Sequence, residues 1–133
     1  MFVTGVQTCA LPISSGDIET LRATLKEVYC DEKVGDYILD IVFATREPER
    51  TKGLEGLKEQ IQVGASPRAT LALNLASRGN ALLHGRAYAT PQDVKEVVHD
   101  VLRHRILLTS EAEVEGVTSD NVIDKILGEV PVP

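Results

Sequence analysis

The chain has 133 residues, of which 43% are hydrophobic and 26% charged, with a formal net charge of −6. That composition fits one ordinary globular domain and excludes a disordered chain, while the acidic balance disfavours a nucleic-acid backbone as partner. No apolar run is long enough to cross a bilayer as a helix, and with no Trp and 4% aromatic residues the core must be built from Leu, Val, Ile and Ala.

Residues 1–14, MFVTGVQTCALPIS, carry no charged side chain and hold neither the helix nor the strand period. They lack the basic start and long apolar centre of a secretory signal. The string GVQTCALPIS resembles a translated sequencing-adapter oligonucleotide. Residues 1–14 are therefore expected to be a non-native or disordered lead-in, with a short native strand and loop as the alternative, and residues 15–133 the domain itself. On that expectation Cys30 is the one genuine cysteine, since Cys9 lies in the lead-in. No disulfide framework follows, and the expected compartment is the reducing cytoplasm.

From Ser15 onward the pattern is helical. Ile18, Leu21, Leu25 and Val28 share one helix face, with Ser14 or Ser15 as the start signal. Asp31 caps a second helix with an apolar stripe of Val34, Ile38, Ile41 and Val42, Tyr37 beside it, ending before Pro48. Glu47 to Gly64, with Pro48, Gly53 and Gly56, reads as a surface connection with one weak turn. A third helix is expected from Pro67 to about His84, stopped by Gly85, with a bend or close packing at Gly79.

The start of that third helix carries the main chemical signal. Ser66 is a good N-cap and Pro67 suits the first helical position. Arg68 then falls in the first turn, beside unpaired N–H groups and the positive end of the helix dipole. A cation there is locally unfavourable by ~0.3–1 kcal/mol. An anion docking at this end reverses the sign, because N–H groups and a guanidinium together make a phosphate site. The plain alternative is a solvated Arg68, or one paired with Glu59 or another acid.

Thr90-Pro91-Gln92-Asp93 repeats the same start chemistry for a fourth helix, with Val94, Val97, Val98, Val101 and Leu102 as its stripe. Ile106 to Leu108 is a short extended run, and Ser110 to Thr118 an acidic, partly exposed stretch. Ser119 or Asp120 caps a final helix with Val122, Ile123, Ile126 and Leu127 inward, stopped by Gly128 and the tail Val130-Pro131-Val132-Pro133. No convincing strand appears. The expected fold is all-α, a small bundle of about five helices stable only through mutual packing.

Other candidates have plain explanations. His84, His99 and His104 match no zinc spacing, and Cys30 is distant in sequence, so no metal site is expected. Arg46 is explained as a helix-end cation complementing the dipole. Glu111, Glu113 and Glu115 form a solvated acidic strip. Arg103-His104-Arg105 is either surface charge or a contact to a neighbouring subunit or domain. Ser and Thr hydroxyls sit at caps, with no adjacent His and Asp to make a nucleophile.

Taken in order, Tyr37-Ile38, Ala44-Thr45-Arg46, Gly64-Ala65-Ser66-Pro67-Arg68-Ala69, Gly85-Arg86, Thr90-Pro91-Gln92-Asp93-Val94, Leu102-Arg103-His104-Arg105 and Val130-Pro131-Val132-Pro133 form a set. Through these motifs the segment from about Ile13 to Pro133 resembles the C-terminal helical lid of MoxR-type AAA+ ATPases. Ser77-Arg78-Gly79-Asn80 departs from the family's usual Ala-rich run, which puts helix regularity there in doubt. The resemblance implies that Arg68 is the sensor-2 residue, aimed by Ser66 and Pro67 at the γ-phosphate of ATP bound by the core of the same subunit. It also implies a ring, a homo-hexamer, in which the lid packs on its own core and a neighbouring subunit. Chaperone-like remodelling with von Willebrand A-domain partners would follow.

No G-x-x-x-x-G-K-[ST] loop occurs in the sequence, and no acidic pair follows a buried apolar strand. Mg²⁺ and the β- and γ-phosphates would be held by the core, and the chain by itself is not expected to hydrolyse ATP. The second reading is a stand-alone acidic helical protein-interaction module with no nucleotide role. A helix-turn-helix DNA binder ranks third, disfavoured by the charge.

Overall fold

The computed structural model describes residues 12–133. The lead-in expected over residues 1–14 lies outside the described residues as far as residue 11. Ser14 is described, and it opens the first helix, α1 (Ser15–Leu25), through a capping box: its hydroxyl accepts from the Asp17 amide, and the Asp17 carboxylate accepts from the Ser14 amide. A two-residue strand β1 (Tyr29–Cys30) leads to α2 (Glu32–Arg46), capped by Asp31 accepting from the Lys33 amide. The helix stops at Glu47, ahead of Pro48, as the sequence predicts.

Two 3₁₀ turns (Pro48–Arg50 and Glu55–Glu59) and a strand β2 (Ile61–Val63) then precede α3 (Ala69–Leu83). Gly85, at φ 74°, takes the left-handed conformation that ends α3. Strand β3 (Tyr88–Ala89), α4 (Pro91–Leu102), β4 (Leu107–Leu108), α5 (Ser110–Val114) and α6 (Ser119–Glu129) complete the order. Thr90 closes the expected capping box with Asp93 at the start of α4.

The core gathers on α2. Val34, Tyr37, Ile38, Ile41 and Val42 pack with Leu73 of α3, with Val94, Val98 and Leu102 of α4, and with Val122, Ile123 and Ile126 of α6. A smaller cluster of Val28, Ala81 and Ala89 closes the other end of α3. The strands act as ties between loops. β1 pairs in parallel with β3, placing Tyr29 opposite Tyr88. β2 pairs antiparallel with β4, placing Val63 opposite Leu107 across an irregular step.

The all-α class holds, with six helices among the described residues and strands of only two or three residues. Several details differ from the sequence reading. The stretch 110–118 contains α5, because Thr109 caps it and Ala112 turns into the core. Thr118, rather than Ser119 or Asp120, caps α6 by a reciprocal bond with Asn121, and α6 runs through Gly128 to Glu129. The connection from Glu47 to Gly64 is not wholly a surface segment: Leu54 and Leu57 are fully buried and belong to the main core. Conversely, the α1 stripe is only half used. Val28 is buried, but Ile18 and Leu21 remain 46% and 44% exposed, since α1 meets little besides α3.

Candidate functional site

The expected site residues sit where β2 hands over to α3. The chain leaves Val63 and at Gly64 runs against the end of α2. A Cβ on Gly64 would lie 2.3 Å from the Thr45 carbonyl oxygen and 2.7 Å from its carbon, so only glycine permits the approach. The next residue, Ala65, is fully buried, and both its backbone polar groups are taken up by α2 side chains. Its N–H donates to Thr45 Oγ1 at 2.9 Å, and its carbonyl accepts from Arg46 Nη1 at 3.1 Å. The Thr45 hydroxyl in turn donates to the Val42 carbonyl at 2.6 Å, so it is saturated in both directions.

Ser66, Pro67 and Arg68 follow as an exposed turn. The regular helix begins at Ala69, two residues later than the sequence predicts, because the opening winds more tightly. Ala69 N–H donates to the Ser66 carbonyl and Thr70 N–H to the Pro67 carbonyl, both i+3 bonds, while Arg68 N–H donates to Ser66 Oγ at 3.3 Å. Ser66 is therefore not the N-cap the sequence predicts: that position falls to Arg68, with no side-chain cap bond, and the amides of Arg68, Ala69 and Thr70, expected to be unpaired, are engaged inside the turn. What this end offers an anion is therefore chiefly the guanidinium. Among the described residues no carboxylate lies within 4.0 Å of Arg68, and the alternative partner Glu59 does not reach it. Ala69, buried completely beneath it, pins the helix end to the core.

Arg46 has a more specific position than its sequence explanation. Rather than only facing the dipole of its own helix, it reaches 19 residues along the chain to the Ala65 carbonyl. Periodicity could not have found this, because the contact is long-range. The signal was present in Thr45-Arg46 and Gly64 standing among the resemblance motifs.

A second polar centre lies between α3 and α4. Asp93 is fully buried and accepts from Arg86 Nη1 and Nη2 at 2.6 and 2.7 Å, from the Thr90 amide at 2.8 Å, and from Asn80 Nδ2 at 2.9 Å. Burial pushes its carboxyl up, but the Arg86 guanidinium and the Thr90 and Asn80 donors outweigh that, and it titrates well below the usual carboxylate range. Asn80 also donates to Glu96 at 2.6 Å, and its carbonyl faces His84 Nδ1 at 2.7 Å. Ligand atoms of His84, Asp93 and Glu96 lie within 4.8 Å of one another. The Arg86 guanidinium already occupies Asp93 there, so the cluster is an ion-paired hinge of the α3–α4 hairpin. Asn80 belongs to the stretch where helix regularity was in doubt. The helix runs through it unbroken, with Ser77 turned inward and Leu25 of α1 resting 3.7 Å from the Cβ position of Gly79.

The remaining candidates lie at the surface. Arg103 pairs with Asp120 and Asp100, and Arg105 donates to the Val101 carbonyl, so two of that basic trio serve helix ends. His99 pairs with Asp124 at 2.7 Å across α4 and α6. Glu111, Glu113 and Glu115 are all exposed. No described helix is long and apolar enough to cross a membrane.

Residues 56–126 match the AAA lid domain family. Over 91% of its length the chain is 40% identical to "Chaperone MoxR1" of Mycobacterium tuberculosis, covering 32% of that protein. Over 73% of its length it is 36% identical to "Protein MoxR" of Paracoccus denitrificans, covering 30% of it. A solved structure, a putative ATPase from Cytophaga hutchinsonii, superposes with a TM-score of 0.86 at 39% identity, over 91% of this chain and 36% of that one. The chain thus spans about a third of the length of the curated relatives it matches. Buried Leu57, the Gly64 approach, the α3–α4 hairpin and most of α6 all lie inside the matched segment, and the chain belongs to the AAA lid domain family, in its MoxR-type form.

Proposed function

We propose that this chain is the nucleotide-sensing lid of a MoxR-type AAA+ ATPase, with Arg68 as its sensor-2 residue. The observation that carries the reading is Arg68 itself: an exposed guanidinium with no carboxylate partner among the described residues, on a turn fixed to the core at Ala65 and Ala69. A cation held without a counter-charge at the positive end of a helix is a place prepared for an anion. ATP, bound with Mg²⁺ by the core, would supply that anion as its γ-phosphate. Arg68 would donate to it while it is present and lose its partner after hydrolysis and release. Ser66 and Pro67 hold the turn that aims the guanidinium. The lid then has a differential contact between two nucleotide states, which is what a switch requires.

In the whole protein this lid would pack on its own core and a neighbouring subunit in a cytoplasmic homo-hexameric ring. It would couple ATP hydrolysis to chaperone-like remodelling, with von Willebrand A-domain proteins as partners. The similarity to a protein named as a MoxR chaperone supports this placement. Arg68→Ala in the full-length ATPase carrying this lid is expected to lower ATP turnover by roughly 10²-fold. Turnover near wild type would remove the sensor-2 assignment and favour the stand-alone interaction module. On the chain alone, phosphate titration is expected to shift amides confined to Ser66–Thr70.

A further inference from the structure

We propose that Thr45 and Arg46 are positioning residues for Arg68, acting through the backbone of Ala65; the proposal rests on the reading of Arg68 given above. Two consecutive side chains at the end of α2 take both polar groups of one buried peptide segment, the Ala65 N–H and C=O. The backbone of the same α2 residue, Thr45, lies against Gly64 so closely that no Cβ fits. These three contacts converge on the two residues immediately before Ser66. Arg46 is exposed and could leave its guanidinium in water, yet it reaches across to a carbonyl of a different element.

The mechanical consequence follows from the chain path. Gly64 and Ala65 are held from α2, and Ala69 is buried at the other end, so Ser66, Pro67 and Arg68 span a short turn with both ends fixed. Pro67 locks one φ angle, and the amides of Arg68, Ala69 and Thr70 are engaged within the turn. Ordering a backbone segment has an entropic cost, and here that cost is met during folding instead of when the guanidinium meets its anion. α2 therefore sets where Arg68 points, and movement of the α2 end relative to β2 would redirect it.

The test is a double-mutant cycle in the full-length ATPase. Arg46→Ala is expected to lower kcat by roughly 10-fold with the ATP KM nearly unchanged, because misplacing a guanidinium by even 1 Å is costly to the chemical step. Its thermal midpoint is expected to stay close to wild type, as a loss of structure alone would not spare it. The double variant with Arg68→Ala is expected to be no slower than Arg68→Ala alone. If the two losses multiply, or if Arg46→Ala turns over like wild type while Arg68→Ala does not, the positioning role is overturned and the Arg68 reading stands. If Arg68→Ala itself turns over like wild type, the underlying reading fails instead. Should Arg46→Ala not fold, Thr45→Val and Thr45→Ser carry the same question. Serine keeps the hydroxyl that accepts from Ala65 and should stay near wild type, while valine should fall toward Arg68→Ala. Equal turnover of the two would overturn the proposal.

Discussion

Arg86 grips the fully buried carboxylate of Asp93 with two hydrogen bonds of 2.6 and 2.7 Å, while its own side chain remains 29% exposed. The pair is asymmetric. Removing Asp93 leaves a guanidinium that can turn to water, whereas removing Arg86 strands a charge with no route out. Arg86→Ala is therefore expected to cost about 3 kcal/mol at neutral pH, and the loss is measurable by urea denaturation of this chain. Thr90 and Asn80 still hold the carboxylate in that variant, which keeps the loss at the lower end.

The same pair sets an acid limit. The folded Asp93 carboxyl titrates below its unfolded value, so its contribution is fully present above the ordinary carboxylate pKa of about 4. It is lost as pH falls from there toward the folded value. Wild-type stability should decline below about pH 4, and in Asp93→Asn the part of that decline owed to Asp93 should vanish. Equal acid slopes in the two proteins would show that Asp93 is not the group responsible.

Gly64→Ala tests the close approach on which the Arg68 turn depends. Its Cβ would meet backbone atoms of Thr45, which cannot swing aside as a side-chain tip could. The expected cost is about 1–3 kcal/mol, with amide shifts concentrated from Thr45 to Arg46 and from Gly64 to Ala69. Gly35 in α2 is the control, since nothing lies within 4 Å of its Cβ position. Gly35→Ala should stabilise the chain by up to about 1 kcal/mol.

What could be read from the sequence was what depends on neighbours along the chain. The Asp31 cap, the stop before Pro48, the Gly85 terminus and the Thr90–Asp93 box all rest on residues a few positions apart, and the structure places each as expected. The missed features are long-range. The Arg46–Ala65 bond, the burial of Leu54 and Leu57 and the pairing of β2 with β4 join segments whose proximity no local period encodes. At the candidate site the sequence put Ser66, Pro67 and Arg68 at the start of a helix, whereas they form a tighter turn ahead of a helix that begins at Ala69. The turn's i+3 bonds follow directly on Ala65, which Thr45 and Arg46 hold through contacts that no local period encodes.

The α1 stripe gives a much smaller predicted effect than a usual apolar face. Ile18 and Leu21 are nearly half exposed in this chain, so Ile18→Ser and Leu21→Ser should each change its stability by no more than about 0.5 kcal/mol. Leu73, fully buried between α2 and α4, should lose about 2–5 kcal/mol as Leu73→Ala. Comparable losses at Ile18 and Leu73 in a denaturant titration would mean that α1 is packed more deeply than the structure places it.

Leu57 tests the segment that sequence alone would leave on the surface. Gly53, at φ 92°, turns the chain so that Leu54 and Leu57 both enter the main core, and Leu57 N–H donates to the Leu54 carbonyl at 2.9 Å. A surface leucine would tolerate truncation within about 0.5 kcal/mol, but Leu57→Ala should cost about 2–5 kcal/mol through the cavity it leaves. The effect should also travel. The 3₁₀ turn holding Leu57 runs directly into β2, whose pairing with β4 and approach to Thr45 fix the start of the Arg68 turn. Hydrogen exchange should therefore quicken from Ile61 to Ala65 in Leu57→Ala, while the distant Asp93 amide, secured by Thr90, keeps its protection. Exchange that quickens equally at both places would report global unfolding and deny Leu57 any particular hold on the site.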